Sequence, residues 1–232
     1  MVLSDNREGF VSRSTTIISI ALGALSLIVT ALVYSRLPET VPVHWNVRGE
    51  VDNYGPRSMA WVLGSLPIAI AALMRVLPAI DPRKQNYLKS ARAYNATMLS
   101  VVTVMVVVQF LVVSSAIGIA VQVDAVIKAV MGLLFLVIGN FLGTVRSTFF
   151  FGIRTPWTLS NDEVWRKTHR LGGVLFMVAG LAFLAVLFIR NAWAGVIPLV
   201  AILAAVVVPV VYSWVLYRKL STGGTTNRST PG

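Results

Sequence analysis

The stretch Ala93–Val123, AYNATMLSVVTVMVVVQFLVVSSAIGIAVQV, runs 31 residues without an Asp, Glu, Lys or Arg. A helix crossing roughly 30 Å of hydrocarbon at 1.5 Å per residue needs about 20 such residues. A segment this long and this bare of charge reads as a membrane span. Five further charge-free windows flank it: Ser14–Ser35 (22 residues), Ser58–Met74 (17), Ala129–Val145 (17), Leu171–Ile189 (19) and Asn191–Tyr217 (27). Together the six hold 133 of the 232 residues, which leaves no room for a soluble domain. The two 17-residue windows lengthen by snorkelling, because Arg75 and Lys128 carry long stems whose charged heads reach the interface.

Composition agrees. Hydrophobic residues make up 56% of the chain and charged residues 12%, against about a quarter charged in soluble domains. That excludes an ordinary cytosolic enzyme and excludes disorder. There are no cysteines, hence no disulfides, thiol nucleophiles or thiolate metal sites. The six Trp and six Tyr avoid the centres of the windows, as residues that prefer the headgroup level should. The net charge of +11 reflects membrane topology rather than direct nucleic-acid binding, since no basic cluster with interleaved aromatics stands on a soluble face. The first window is too long for a secretory h-region and no A-x-A-like site precedes Arg36, so it is expected to be retained.

Lys and Arg placement sets the orientation. With the N-terminus cytoplasmic, 15 of the 20 fall on the inner side and 5 (Arg36, Arg48, Arg57, Lys128, Arg190) on the outer side. The expected fold is an all-α integral membrane protein. It is a six-transmembrane-helix bundle with both termini cytoplasmic and a short ordered extracytoplasmic hairpin loop. Residues 1–220 form one domain, with spans near 14–35, 58–77, 94–119, 126–145, 171–189 and 193–217. The outer loop is 36–57 and the main inner loop 146–170. Residues 221–232 read as a disordered cytoplasmic tail.

In the outer loop, Val41, Val43, Trp45 and Val47 alternate at the period of a strand. Arg48-Gly49 suits a turn and Glu50–Asn53 a returning strand, with Pro38, Pro42 and Pro56 stiffening the ends. His44, Glu50 and Asp52 either hydrogen-bond the hairpin or hold a metal, zinc being the natural choice.

In the inner loop, Ser160 and Glu163 have capping-box spacing, so a helix should start near Asn161 and run through Trp165 and His169 into the fifth span. Thr155-Pro156 is expected to break any helix. The apolar run Phe149–Ile153 should lie in the interface. Arg154, Trp157, Trp165, Arg166 and His169 then crowd one edge, either as a docking surface or as lipid anchors. Asp81, before a proline and a basic pair, reads as a turn that caps the next helix.

Within the spans, Asn140 sits in a GxxxG pattern, Gly139 to Gly143, that permits close helix approach. A buried amide there bonds a neighbouring helix or lines a cavity. Gln109 is read in the same way.

These residues resemble those of the SdpI-type immunity proteins of bacteria. The likeness lies in Leu37-Pro38, Pro42-Val-His44-Trp-Asn46, Gly49-Glu-Val-Asp52, Pro78-Ala-Ile-Asp81-Pro-Arg83, Gly139-Asn140, Gly152-Ile-Arg154-Thr-Pro-Trp157-Thr-Leu159 and Val164-Trp165-Arg-Lys-Thr-His169-Arg. The resemblance implies a six-helix plasma-membrane protein, not an enzyme and without a cofactor, that protects the cell from a secreted peptide toxin. It also implies possession of a cytosolic face that sequesters a transcriptional repressor. On this basis the toxin-side residues are His44, Trp45, Asn46, Gly49 and Asp52. The cytoplasmic docking residues are Arg154, Thr155, Pro156, Trp157, Trp165 and His169, and Asn140 is the intramembrane polar residue. Two alternatives stand beside this reading. One is a small transporter or channel built around Asn140, Gln109 and Arg75; the other is a metal-dependent membrane enzyme using His44, Glu50 and Asp52.

Overall fold

A computed structural model describes residues 9–46, 48–189, 191 and 193–223. Val47, Arg190 and residues 224–232 of the expected tail lie outside the described residues. The order is α1 (Arg13–Val33), a hairpin of β1 (Thr40–Trp45) and β2 (Val51–Pro56), α2 (Met59–Ile80), α3 (Gln85–Lys89), α4 (Ala91–Ala116), α5 (Val123–Leu142), α6 (Pro156–Ser160), α7 (Asp162–Ala185) and α8 (Trp193–Gly223). Short 3₁₀ turns extend α1 to Arg36 and α7 to Phe188. Six of these helices are long and apolar enough to cross a membrane: α1, α2, α4, α5, α7 and α8. They form a bundle with the hairpin at one end and α3, α6 and the 143–155 loop at the other, the platform end.

The helices are packed the way hydrocarbon demands. The buried face of α1 is Thr15, Ser19, Gly23, Ser26 and Thr30, while Ile17, Ile20, Leu25, Ile28 and Leu32 point outward. Between spans no hydrophobic force favours apolar contact over lipid, so small residues pack and branched ones face the chains. Ser26 Oγ donates to the Gly64 carbonyl at 2.9 Å and ties α1 to α2. Gln109, 1% exposed, donates to Thr30 Oγ1 at 2.8 Å and to the Ala60 carbonyl at 3.0 Å, joining α4 to both.

The α5–α7 contact is built on four glycines. A Cβ on Gly139 would lie 2.7 Å from the Gly173 carbonyl, and one on Gly180 would lie 2.8 Å from the Gly132 carbonyl. Glycines seven apart on each antiparallel helix thus meet in two pairs, which brings the backbones together. Of the expected GxxxG pair, Gly139 makes the close approach. Gly143 is less crowded: a Cβ there would be in ordinary contact with Arg170 Cα at 3.7 Å. Asn140 is exposed on the bundle surface, not buried, and makes no side-chain hydrogen bond among the described residues. One residue past Gly139 is about 100° around the helix, which turns the amide away from α7.

Two local expectations in the second loop are also corrected. The cap of α7 is Asn161, whose Oδ1 accepts from the N–H groups of Glu163 (2.8 Å) and Val164 (3.1 Å), while Ser160 Oγ donates to the Trp157 carbonyl. Thr155-Pro156 starts a helix instead of breaking one: Thr155 caps α6 in a capping box with Thr158, and Pro156 takes the first-turn position, where no N–H is needed.

Candidate functional site

At the hairpin end, β1 and β2 pair antiparallel from Thr40 opposite Pro56 to Trp45 opposite Val51. Asn46 builds the turn. Its Oδ1 accepts from Arg48 N–H (2.8 Å) and Glu50 N–H (3.1 Å), and its Nδ2 donates to the Glu50 carboxylate at 2.7 Å. Gly49 has φ +78°, a left-handed conformation that favours glycine. A Cβ there would also come within 2.9 Å of Asp124, so the tip rests directly on the start of α5. His44 Nδ1 bonds Asp52 Oδ1 at 2.5 Å across the strands, both groups exposed.

These contacts separate the three residues of the metal alternative. Glu50 is turned to Asn46 and Arg48, away from the His44–Asp52 pair. Among the described residues no three His, Asp or Glu side chains converge on a common point.

Beneath the hairpin lies a cleft of about 450 Å³. Trp45 and Val43 form its roof, Ile127 and Phe183 its inner wall, and Pro198 and Leu199 the α8 side. His44, Asn46 and the Lys128–Asp124 ion pair (3.1 Å) line it as well. The lining is largely apolar with a few polar groups. Of the five expected toxin-side residues, His44, Trp45 and Asn46 line it, Asp52 holds His44, and Gly49 seats the hairpin against Asp124.

At the platform end, Asp81 is the organising group. Its carboxylate is 2% exposed. It accepts from Arg83 N–H (2.7 Å), Tyr87 Oη (3.1 Å), Phe149 N–H (2.8 Å) and Phe150 N–H (3.2 Å). Burial pushes the Tyr87 phenol well above its usual range, so it stays a donor. The Arg83 guanidinium reaches Ser147 Oγ and the Leu159 carbonyl and lies over the Phe149 ring at 5.0 Å. Asn86 donates to the Ser147 carbonyl at 2.7 Å. The 81–90 and 146–159 segments are thereby locked together. Asp81 had read as a simple turn, and its partners lie 68 and 69 residues away in the chain.

The start of α7 closes the platform. Trp165 Nε1 donates to the Val145 carbonyl at 2.8 Å, and its ring stacks on His169 at 3.9 Å. His169 Nε2 accepts from Ile153 N–H at 2.9 Å and Nδ1 faces the Trp165 carbonyl at 2.8 Å. Trp165 and His169 are 1% and 0% exposed. Thr155 is buried as well, bonded to Thr158 and Ser213. Their place on an exposed docking edge is therefore corrected: these three hold the platform from within. Arg154 and Pro156 are exposed and Trp157 is half-buried, and Arg154 Nη1 donates to the Phe149 carbonyl at 2.8 Å. The residues of the channel alternative are dispersed: Gln109 is bound in the α1–α2–α4 core, Arg75 reaches the Val11 carbonyl at 3.4 Å, and Asn140 faces outward.

Fold and site together define a six-helix integral membrane protein with a hairpin-roofed cleft at one end and a cross-linked polar platform at the other. The model of the SdpI/YfhL protein family matches residues 144–213, which contain the loop from 144 to 155, α6, α7 and part of α8. A domain of unknown function (DUF1648) matches residues 21–71, which span the hairpin. The chain is 24% identical over 205 residues to the immunity protein SdpI of Bacillus subtilis (strain 168), covering 88% of this chain and 97% of that one. The chain is thus similar to SdpI-family proteins, most directly over residues 144–213. No solved structure matches it.

Proposed function

We propose that this protein is an immunity and sensor protein that binds a secreted antimicrobial peptide at its hairpin end, without chemistry of its own. The observation that carries the reading is the largely apolar cleft beneath the hairpin, with His44, Asn46 and an ion pair in its lining, in a chain collinear with a named immunity protein. An amphipathic peptide arriving from water and entering the interface meets matching chemistry there. The 15-to-5 cation bias supports an outward-facing hairpin with both termini in the cytoplasm, and the likeness to a bacterial immunity protein supports the plasma membrane as its place.

The exposed Arg154 and Pro156, with the half-buried Trp157 beside Pro156, are the surface for a cytosolic repressor protein. Two helices join the ends: α7 carries Phe183 in the cleft and Trp165 and His169 in the platform, and α8 carries Leu199 in the cleft and Ser213 against Thr155. A peptide shifts this assembly only if it binds one arrangement of α7 and α8 better than another.

The test is expression in a peptide-sensitive bacterial host, challenged with a panel of secreted antimicrobial peptides. Protection that is lost in Trp45→Ala with Phe183→Ala, at equal membrane abundance, supports the reading. Unchanged sensitivity across the panel overturns it. For the cytosolic face, Arg154→Ala with Trp157→Ala abolishes recruitment of the partner and leaves protection intact; recruitment that survives removes that surface from the account.

A further inference from the structure

A second site lies at the platform end, on the surface between the end of α3, the loop after α5 and the start of α7. It is a groove of about 860 Å³. Lys89, Arg146, Arg166 and Arg170 line it, together with the Glu163–Lys167 ion pair at 2.8 Å. Glu163 is taken by Lys167. None of the other four cations makes an ion pair within 4 Å among the described residues, so the groove holds five cations and one carboxylate and carries a net positive charge. All four are exposed. That excess of cations calls for an anion.

The surroundings say which anion. Arg166 and Arg170 continue along α7 at helical spacing into Val174, Met177 and Leu181, all exposed. The same face of one helix passes from guanidinium groups to a bare apolar stripe. A soluble anion has no use for that stripe, whereas a phospholipid has a charged head and apolar chains at this distance and in this order. We propose that the groove is a headgroup site for an acidic phospholipid. The phosphodiester sits among Lys89, Arg146, Arg166 and Arg170, and the acyl chains lie along Val174–Leu181.

Native mass spectrometry of the delipidated protein in detergent tests this, with phosphatidylglycerol, phosphatidylcholine of the same chains, and inorganic phosphate as probes. The wild type retains one phosphatidylglycerol in preference to phosphatidylcholine. Arg146→Gln with Arg166→Gln weakens that retention about 30-fold, the expectation for two cations near an anionic surface. Arg36→Gln with Arg48→Gln, at the hairpin end, leaves it unchanged. Equal retention of the two lipids, or an unaffected groove variant, overturns the site. An equal loss in the hairpin-end variant also overturns it, because bulk charge then explains the binding. Competition by inorganic phosphate at equal concentration assigns the groove to a soluble anion and overturns the lipid.

Discussion

Ile153 donates its backbone N–H to His169 Nε2 at 2.9 Å, so that nitrogen carries no proton and the ring is held as the neutral tautomer that donates from Nδ1 to the Trp165 carbonyl. The preceding residue makes this contact achievable. Gly152 has φ +113°, and a Cβ on it would come within 2.5 Å of His169 Nε2 and 3.0 Å of the Trp165 ring. Backbone freedom and an imidazole lone pair together fasten the second loop to α7.

Gly152→Ala therefore combines backbone strain with a clash against buried rings and costs about 3 kcal/mol. Gly118 is the control: its φ is +78°, with nothing within 4 Å of a notional Cβ. Gly118→Ala pays the strain alone, about 1 kcal/mol. Thermal unfolding in detergent, followed by tryptophan fluorescence, should show a much larger fall in Tm for Gly152→Ala than for Gly118→Ala.

The glycine pairing of α5 and α7 separates two neighbouring positions. Gly139→Ala puts a methyl against backbone atoms of Met177 and Gly173 and costs about 1–3 kcal/mol. Gly143→Ala has room and is expected to change Tm little. Asn140→Leu exchanges an outward-facing amide for an apolar side chain and leaves the fold intact. Size-exclusion profiles and Tm in detergent read all three.

Asp81→Ala removes the acceptor shared by four donors, two of them backbone N–H groups in the second loop. Buried donors left unpaired cost about 1–3 kcal/mol each where water does not replace the partner. Limited proteolysis of membrane vesicles opened at the platform side should then cut near Phe149–Phe151, with Asp81→Asn intermediate because its amide oxygen still accepts. A loop as resistant as wild type in Asp81→Ala would contradict the organising role.

How far the sequence speaks depends on the range of the interaction. The bilayer sets the length of a charge-free segment, so the six spans were legible directly, and the period of Val41, Val43 and Trp45 announced the hairpin. Cap patterns are local but degenerate. Ser160 and Asn161 are both good caps one residue apart, and the structure uses the asparagine because its oxygen reaches two N–H groups. The platform was legible only as a cluster of suggestive residues. Asp81 meets Phe149 across 68 positions, and no local periodicity encodes such a contact. Gly132, Gly173 and Gly180 were hidden for a related reason: the spacing of seven that joins them to Gly139 gains meaning only when two antiparallel helices are laid together. Burial of Trp165 and His169 follows from the same long-range packing, which turned residues with surface chemistry into the core of the platform.

The sidedness of the two ends is the claim on which the rest depends, and the absence of native cysteines makes it directly measurable. Tyr54→Cys in the hairpin and Pro156→Cys at the platform, both at exposed positions, are treated in intact cells with a membrane-impermeant maleimide. The account predicts labelling at position 54 in intact cells and at position 156 only after permeabilisation. Labelling of both from the same side, or of position 156 alone in intact cells, would contradict it.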